Sequence, residues 1–275
     1  MDMKSVIDAY NERQEEIRGI FRSRLITQIL IALGSGEKPL SKLRDITGSS
    51  SQAIIPKIRQ LEAMSYIEST KEGYRLTIIG QILEQEIEKL VKIISLSDSN
   101  REFWYIHDTK DIPPLFLENI GDLYNSTIVR NAEDNILKVH FNFRKILGEA
   151  EFINGVSSIM SPSHAEAIKD AVTRGIPVDL IVTPEISKKL GEEPYGDILK
   201  SLADFDNFRI YVFPKQIKIG MTITEKCLSL GLYSKDPDFY DFATDLINCD
   251  IKAIEWGKEL FEYYKSESEE FIISR

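Results

Sequence analysis

The sequence predicts two folds in tandem: a winged helix-turn-helix over residues 1–80, a helical connector that also serves dimerisation over residues 81–125, and an α/β domain over residues 126–275 with a mixed, mostly parallel sheet. Three observations predict it. Between residues 23 and 68 an apolar helix, a short helix, a Gly-containing turn and an amphipathic helix succeed one another, and an alternating segment with a central turn follows. Beyond residue 125 the texture changes to short apolar strands alternating with helices. The charge is also uneven: residues 1–80 carry 12 Lys+Arg against 10 Asp+Glu, whereas the rest carries 22 against 34.

In order, Met3 to Ile20 reads as a helix with Val6, Ile7, Tyr10, Ile17 and Ile20 as its apolar members. "SRLITQILIALGSGEK" is a strongly apolar helix ended by Gly34 and Gly36, and "PLSKLRDITGSS" a short one stopped at Gly48. In "SSSQAIIPKIRQLEAMSYIE" Ile54, Ile58 and Leu61 share one face at about 100° per residue, while Gln52, Pro56, Arg59 and Ala63 lie opposite. Any of Ser49, Ser50 and Ser51 can cap it. Pro56, inside the helix, predicts a late start or a local kink, because it lacks a backbone donor and crowds the carbonyl four residues back. "YIESTKEGYRLT" alternates and turns at Lys71, Glu72 and Gly73, as a two-stranded wing does.

From Ile78 to Ser97 the apolar spacing is that of a long, coiled-coil-like helix, with Ile82, Ile87, Leu90 and Ile94 available for pairing two subunits. Pro113 and Pro114 mark the entry of a further helix. Then "FINGVSSIMS", "PVDLIVTP" and "FRIYVFP" read as strands, with helices at "PSHAEAIKDAVTRG" and "YGDILKSLADF". "IKIGMTITEKCLSLGLYS" is a hairpin or strand pair, and "DFATDLINCDIKAIEWGKELFEYYKSES" is largely helical.

The composition excludes several classes. Hydrophobic content of 43% and charged content of 28% are those of a globular protein, and no apolar run reaches the roughly 20 residues of a membrane span. The polar N-terminus is no signal peptide, so the expected location is the cytoplasm, without a membrane partner. Cys227 and Cys249 have no metal or redox spacing and are expected as small core residues. His107, His140 and His164 are far apart, and no phosphate-cradling glycine loop or nucleophile elbow occurs, so no metal, cofactor or catalytic residue is assigned.

With a net charge of -10 a polyanion is tolerable only at the basic N-terminal part, where Arg22 to Arg75 holds nine cations against five anions. That stretch coincides with the helix-turn-helix order, which makes double-stranded DNA the expected partner. Gln52 and Arg59 are placed to reach base edges, Ser50 and Ser51 to contact phosphate, Lys57 to flank them, and Lys71 and Arg75 on the wing to hold the backbone. Two rival readings of Arg59 are a contact to phosphate only and a salt bridge to Glu62 on the helix surface. In the second domain, His164 follows a strand end and sits in the first turn of a helix, where α/β sheets bind ligands and a helix N-terminus favours anions.

"FWYIHDTKDIPPLFLENIGDL", "CLSLGLYSKDPDFYD" and "AIEWGKELFEYYKSES" resemble the archaeal winged-helix regulators that carry the middle domain named after the methanogenesis regulatory protein of filamentous methanogens; the resemblance runs from about residue 15 to 268. It implies a DNA-binding transcription factor whose C-terminal domain is similar to the phospholipase D fold. The active phospholipase D pattern needs a histidine and a lysine two residues apart on a late strand. Gly220 and Thr222 stand at those places, so the resemblance implies a domain without that chemistry.

The expected protein is thus a homodimeric, non-enzymatic regulator controlled by a small molecule, anionic or polyhydroxyl, at the strand ends. Ser161, His164, Thr183, Lys215, Thr222, Thr224, Glu255 and Trp256 are the candidate effector contacts. The rival is a hydrolase with an unrecognised site and a winged helix used for protein contact.

Overall fold

A computed structural model describes residues 3–273 of the chain, which divides into two compact units, Met1–Val91 and Lys92–Arg275. The first unit holds α1 (Met3–Arg22), α2 (Arg24–Gly34), α3 (Leu40–Thr47), α4 (Ser51–Ala63), β1 (Ile67–Ser69) and β2 (Tyr74–Leu76). It also holds the first part of α5 (Ile78–Ser99), within which the boundary falls.

Local chemistry sets these limits. Ser23 caps α2 by accepting the Ile26 N–H, and Ser50 caps α4 by accepting that of Ala53. Gly48 ends α3 in the left-handed region, φ 62°, which a side chain would disfavour. Of the two outcomes expected of Pro56, a late start is excluded: α4 begins at Ser51 and runs through Pro56. Ile54, Ile58 and Leu61 enter a core with Ile26, Ile29, Leu30, Leu33, Leu43 and Ile87, each fully buried aliphatic contributing about 1.5–3 kcal/mol.

The wing is fastened to the helices. β1 and β2 pair antiparallel from Ile67↔Leu76 to Ser69↔Tyr74, and Lys38 exchanges two 3.0 Å backbone bonds with Tyr74. Gly73 permits that approach, since a Cβ there would collide with the Lys38 carbonyl.

The second unit continues with α6 (Arg101–Ile106), β3 (His107–Asp108), α7 (Pro114–Glu118), β4 (Thr127–Arg130), α8 (Lys138–Gly148), β5 (Ile153–Ser157), α9 (Pro162–Thr173) and β6 (Val178–Val182). It then runs through α10 (Pro184–Lys189), α11 (Tyr195–Ser201), β7 (Phe208–Val212), β8 (Ile219–Ile223), β9 (Leu228–Ser234), β10 (Thr244–Asn248), α12 (Ile251–Ser266) and β11 (Glu269–Glu270). The sheet order is β11-β7-β6-β5-β8-β9-β10-β4, with β3 on β9.

The sheet is mixed, but the expectation of a mostly parallel one is corrected. Only β5–β6 and β6–β7 run parallel, and the remaining pairings are antiparallel. Helices α9, α10 and α11 supply the crossovers that parallel neighbours require, whereas the links from β8 to β9 and β9 to β10 are too short for one. A second correction is β10 itself: "TDLIN" falls in a stretch read as helical, yet it pairs with both β9 and β4. Cys227 is buried as expected; Cys249 is exposed.

Alternation along β8 and β9 gives the sheet two unlike faces. Ile219, Met221, Ile223, Leu228, Leu230 and Leu232 pack with Trp256, Leu260 and Phe261 of α12 in one core. The intervening Gly220, Thr222, Ser229 and Gly231 leave the opposite face small, in register with Gly155 of β5. On that side α9 packs on β6 and α8 packs on α9. No helix among the described residues is long and apolar enough to cross a membrane.

Candidate functional site

Burying Ile54, Ile58 and Leu61 turns the other side of α4 outward. Gln52, Ala53, Pro56, Arg59 and Gln60 are exposed, and Ser51 and Lys57 are half-buried. Ser50 uses its oxygen to accept the Ala53 N–H at 3.4 Å, which leaves its hydroxyl hydrogen to donate outward. Lys71 is exposed at the wing tip, in a turn fixed by Thr70, whose Oγ1 accepts the Glu72 and Gly73 N–H groups and whose hydroxyl bonds Glu37. Arg75 is paired with Glu68 at 2.6 Å; both side chains are exposed, so the pair is weak and open to exchange.

One cation went unread in the sequence. Arg24, at the start of α2, lies with Nη2 3.5 Å from the Ser49 hydroxyl, which sets an exposed guanidinium beside the N-terminus of α4. Its position 25 residues upstream hides it from any local motif; only the packing of α2 on α4 brings the two together.

In the second unit a cavity of about 640 Å³ lies on the small face of the sheet. Its floor is Gly155, Leu180, Gly220, Thr222, Ser229 and Asp245; its walls are His140 and Phe143 of α8, Ser161, Ser163, His164 and Ile168 around the start of α9, and Tyr240, Asp241 and Phe242 before β10. Tyr240 leans over Gly220 and Gly231, and a Cβ at Gly220 would come within 2.5 Å of its hydroxyl.

The polar groups here are specific. Ser161 caps α9 by accepting the His164 N–H at 3.2 Å. The His164 ring stacks with His140 at 5.8 Å and meets Phe143 at 4.4 Å; burial, with the neighbouring His140, brings it down to about 4, so it is a neutral imidazole near pH 7. Asp245 accepts from Ser229 at 2.6 Å, and burial pushes its carboxyl up to about 7 against the lowering pull of that hydroxyl and the Leu246 amide. Burial would also raise Asp241, but the His107 ring at 3.1 Å, with Thr244 and the Ala243 amide, outweighs it and holds that carboxyl below the usual range.

Of the eight expected effector contacts, Ser161, His164 and Thr222 line this cavity. The other five lie outside it, each for a visible reason. Thr183 is buried as the cap of α10, and Thr224 is buried in the β8–β9 turn, accepting from Lys226 and Cys227 amides. Glu255 is exposed and pairs with Lys252 at 2.9 Å. Trp256 is 3% exposed and donates to the Phe116 carbonyl at 3.0 Å as part of the core. Lys215 is exposed, and no Lys or Arg appears among the described residues that line the cavity. Of the grounds for an anionic effector, the helix N-terminus at Ser163 and His164 borders the cavity, whereas Lys215 does not. Asp245 and Asp241 went unread because they come from a stretch taken as helical, and Tyr240 because it lies in the segment just before it; the signal available was the alternation of Gly, Thr and Ser with aliphatic residues in β8 and β9. Among the described residues no three His, Cys, Asp or Glu side chains gather as metal ligands do.

Comparison with known proteins places this architecture. Residues 14–95 match the N-terminal domain of the methanogenesis regulatory protein FilR1, and residues 136–267 match its middle domain. The methanogenesis regulatory protein FilR1 of Methanothrix harundinacea (strain 6Ac) is 30% identical over 253 residues, 90% of this chain and 56% of that protein, so the chain spans little more than half the length of its relative. Among solved structures, TrmBL2, an archaeal chromatin protein whose structure shows a novel mode of DNA binding, is 15% identical over 95% of this chain and 100% of its own, with a TM-score of 0.41. Nuc, a phospholipase D family member from Salmonella typhimurium, is 13% identical over 54% of this chain and 97% of its own, also with a TM-score of 0.41. Scores this low carry no argument about function.

Proposed function

Because the chain belongs to the family of the methanogenesis regulatory protein FilR1, matching its N-terminal and middle domains, we propose that it is a DNA-binding transcriptional regulator whose second unit senses a small molecule. The observation that carries the reading is the exposed face of α4, with Gln52 and Arg59 outward, Arg24 at its N-terminus and Lys71 on the wing. In a winged helix this face enters the major groove; Gln52 and Arg59 then meet base edges, while Ser50, Ser51, Lys57, Arg24, Lys71 and Arg75 hold phosphates.

The sensing half of the reading rests on the cavity between the glycine-rich sheet face and α8 and α9, whose volume suits one small metabolite. Binding there would favour one arrangement of the sensor and so shift the DNA-competent population. A homodimer would give the protein a two-fold axis matching a palindromic operator.

Fluorescence anisotropy with labelled duplexes tests the first half. The full chain should bind duplex DNA with an affinity that falls steeply with salt, as phosphate neutralisation requires. Failure to bind any fragment of a genomic pool at low salt would sink it.

A further inference from the structure

One carboxylate oxygen at the cavity floor makes no hydrogen bond of good geometry, although the Leu246 amide lies near enough to act on its group. Asp245 is 6% exposed; its Oδ2 takes the Ser229 hydroxyl at 2.6 Å, and its Oδ1 is buried without a hydrogen-bond partner. A buried polar atom left so destabilises the fold, more when charged, and such atoms in a folded protein call for an explanation. The neighbouring Asp241 differs, because both its oxygens are engaged: Oδ2 by the His107 ring at 3.1 Å and Oδ1 by the Ala243 amide at 2.9 Å.

The rest of the lining narrows the chemistry. Among the described residues two carboxylates line the space and no Lys or Arg does; the walls bring aromatic rings, Phe143, Tyr240 and Phe242, and the neutral ring of His164. An anion here would meet two carboxylates and no counter-charge. A wholly apolar molecule would leave Asp245 Oδ1 unpaired. An ammonium group satisfies that oxygen and its charge together, and ring faces attract it further.

Resting on the reading of this cavity as the effector site, we propose that the effector is an organic ammonium compound: an apolar or aromatic body with one protonated amine, whose N–H groups donate to Asp245 Oδ1.

Isothermal titration calorimetry of the full chain at pH 8 tests this with 2-phenylethylamine, 2-phenylethanol and 3-phenylpropionate, which share a ring and differ in the polar end. The amine should bind at least about tenfold more tightly than the alcohol, the worth of one hydrogen bond to a charged group, and the propionate should give no heat. Asp245→Asn should bring the amine down to the alcohol and leave the alcohol unchanged. If that variant does not fold, amide shift changes on adding the amine to the parent protein should centre on Thr222, Ser229 and Asp245. Equal or tighter binding of the alcohol or propionate overturns the ammonium proposal while leaving the cavity as a ligand site. Shifts centred elsewhere, or an amine preference that survives Asp245→Asn, overturn the role of Asp245. Binding by none of the three overturns the cavity reading and the proposal with it.

Discussion

The phenol of Tyr240 occupies the space that a side chain at Gly231 would fill, so the glycine in the middle of β9 is the seat of the ring that closes the cavity. Gly231 stands opposite Gly220 across the β8–β9 pairing, and the Tyr240 ring covers both. Gly231→Ala forces that ring to move and should cost about 1–3 kcal/mol in urea denaturation, the range for overpacking a filled site. In a Tyr240→Ala background the same change should cost much less, since the collision is gone. Additive costs would show that the two residues do not share that space.

The winged helix makes a second prediction, about rank. Arg24→Glu and Lys71→Glu replace exposed cations whose side chains have no acidic partner among the contacts described, whereas Arg75 already pairs with Glu68. Each of the first two should weaken duplex binding on every sequence and reduce the salt slope by about 1, the signature of one lost phosphate contact. Arg75→Ala should cost less. Arg59→Ala should instead relax the preference between sequences, because a base-edge contact carries discrimination. The measurement is anisotropy across a salt series on specific and scrambled duplexes.

How much of this was legible in advance follows from range. The order of α2, α3 and α4, the stop at Gly48 and the buried triad Ile54, Ile58 and Leu61 are written within the single run from Arg24 to Ala63, and local periodicity reports them. Ser161, His164 and Thr222 were legible as strand-end positions. Asp245 was not: β10 is a strand because β9 and β4 flank it, and nothing within "ATDLINCD" reports those neighbours. Trp256 and Thr183 carry polar atoms that looked available until the Phe116 carbonyl and the Ile186 amide claimed them. Lys215 failed differently, since following a strand did not bring its exposed side chain into the cavity.

Asp245 gives the protein a pH signature. Its carboxyl moves from 3.8 in the unfolded chain to about 7 in the fold, with Ser229, Tyr240, Asp241, His140 and His164 around the same space. A raised carboxyl favours the folded state while protonated, so its contribution is full below pH 4 and is lost as the pH rises to 7, by about 1.4 kcal/mol per unit. Asn at this position does not titrate. The stability of Asp245→Asn relative to the parent should therefore rise between pH 4 and pH 7 and level off above, by urea denaturation at matched ionic strength. A difference that stays constant across the window would place an ionised Asp245 in the fold throughout. His164 works in the opposite sense, being lost as the pH falls from 6.5 towards 4, and the comparison cancels it because both proteins carry it.

The proposed dimer is tested by separating apolar residues on α5 that look alike in the sequence. Ile82, Leu90 and Ile94 are 54%, 41% and 59% exposed, while Ile87 is 2% exposed and belongs to the core of the first unit. Of the four expected pairing positions, then, Ile87 is already used within the chain, and the others leave apolar surface in water. On α1, Val6, Ile7 and Tyr10 do the same, at 51%, 53% and 47%. Single exposed aliphatics are ordinary, but repetition along one helix marks a surface that a second copy can cover. Ile82→Glu combined with Leu90→Glu should leave the unfolding midpoint nearly unchanged at low protein concentration and convert a dimer to a 31.5 kDa particle in light scattering. Ile87→Glu should instead unfold the first unit, because it buries an unpaired carboxylate. If the parent protein already scatters as a 31.5 kDa particle at micromolar concentration, the apolar surface of α5 does not pair two subunits and the two-fold operator loses its basis.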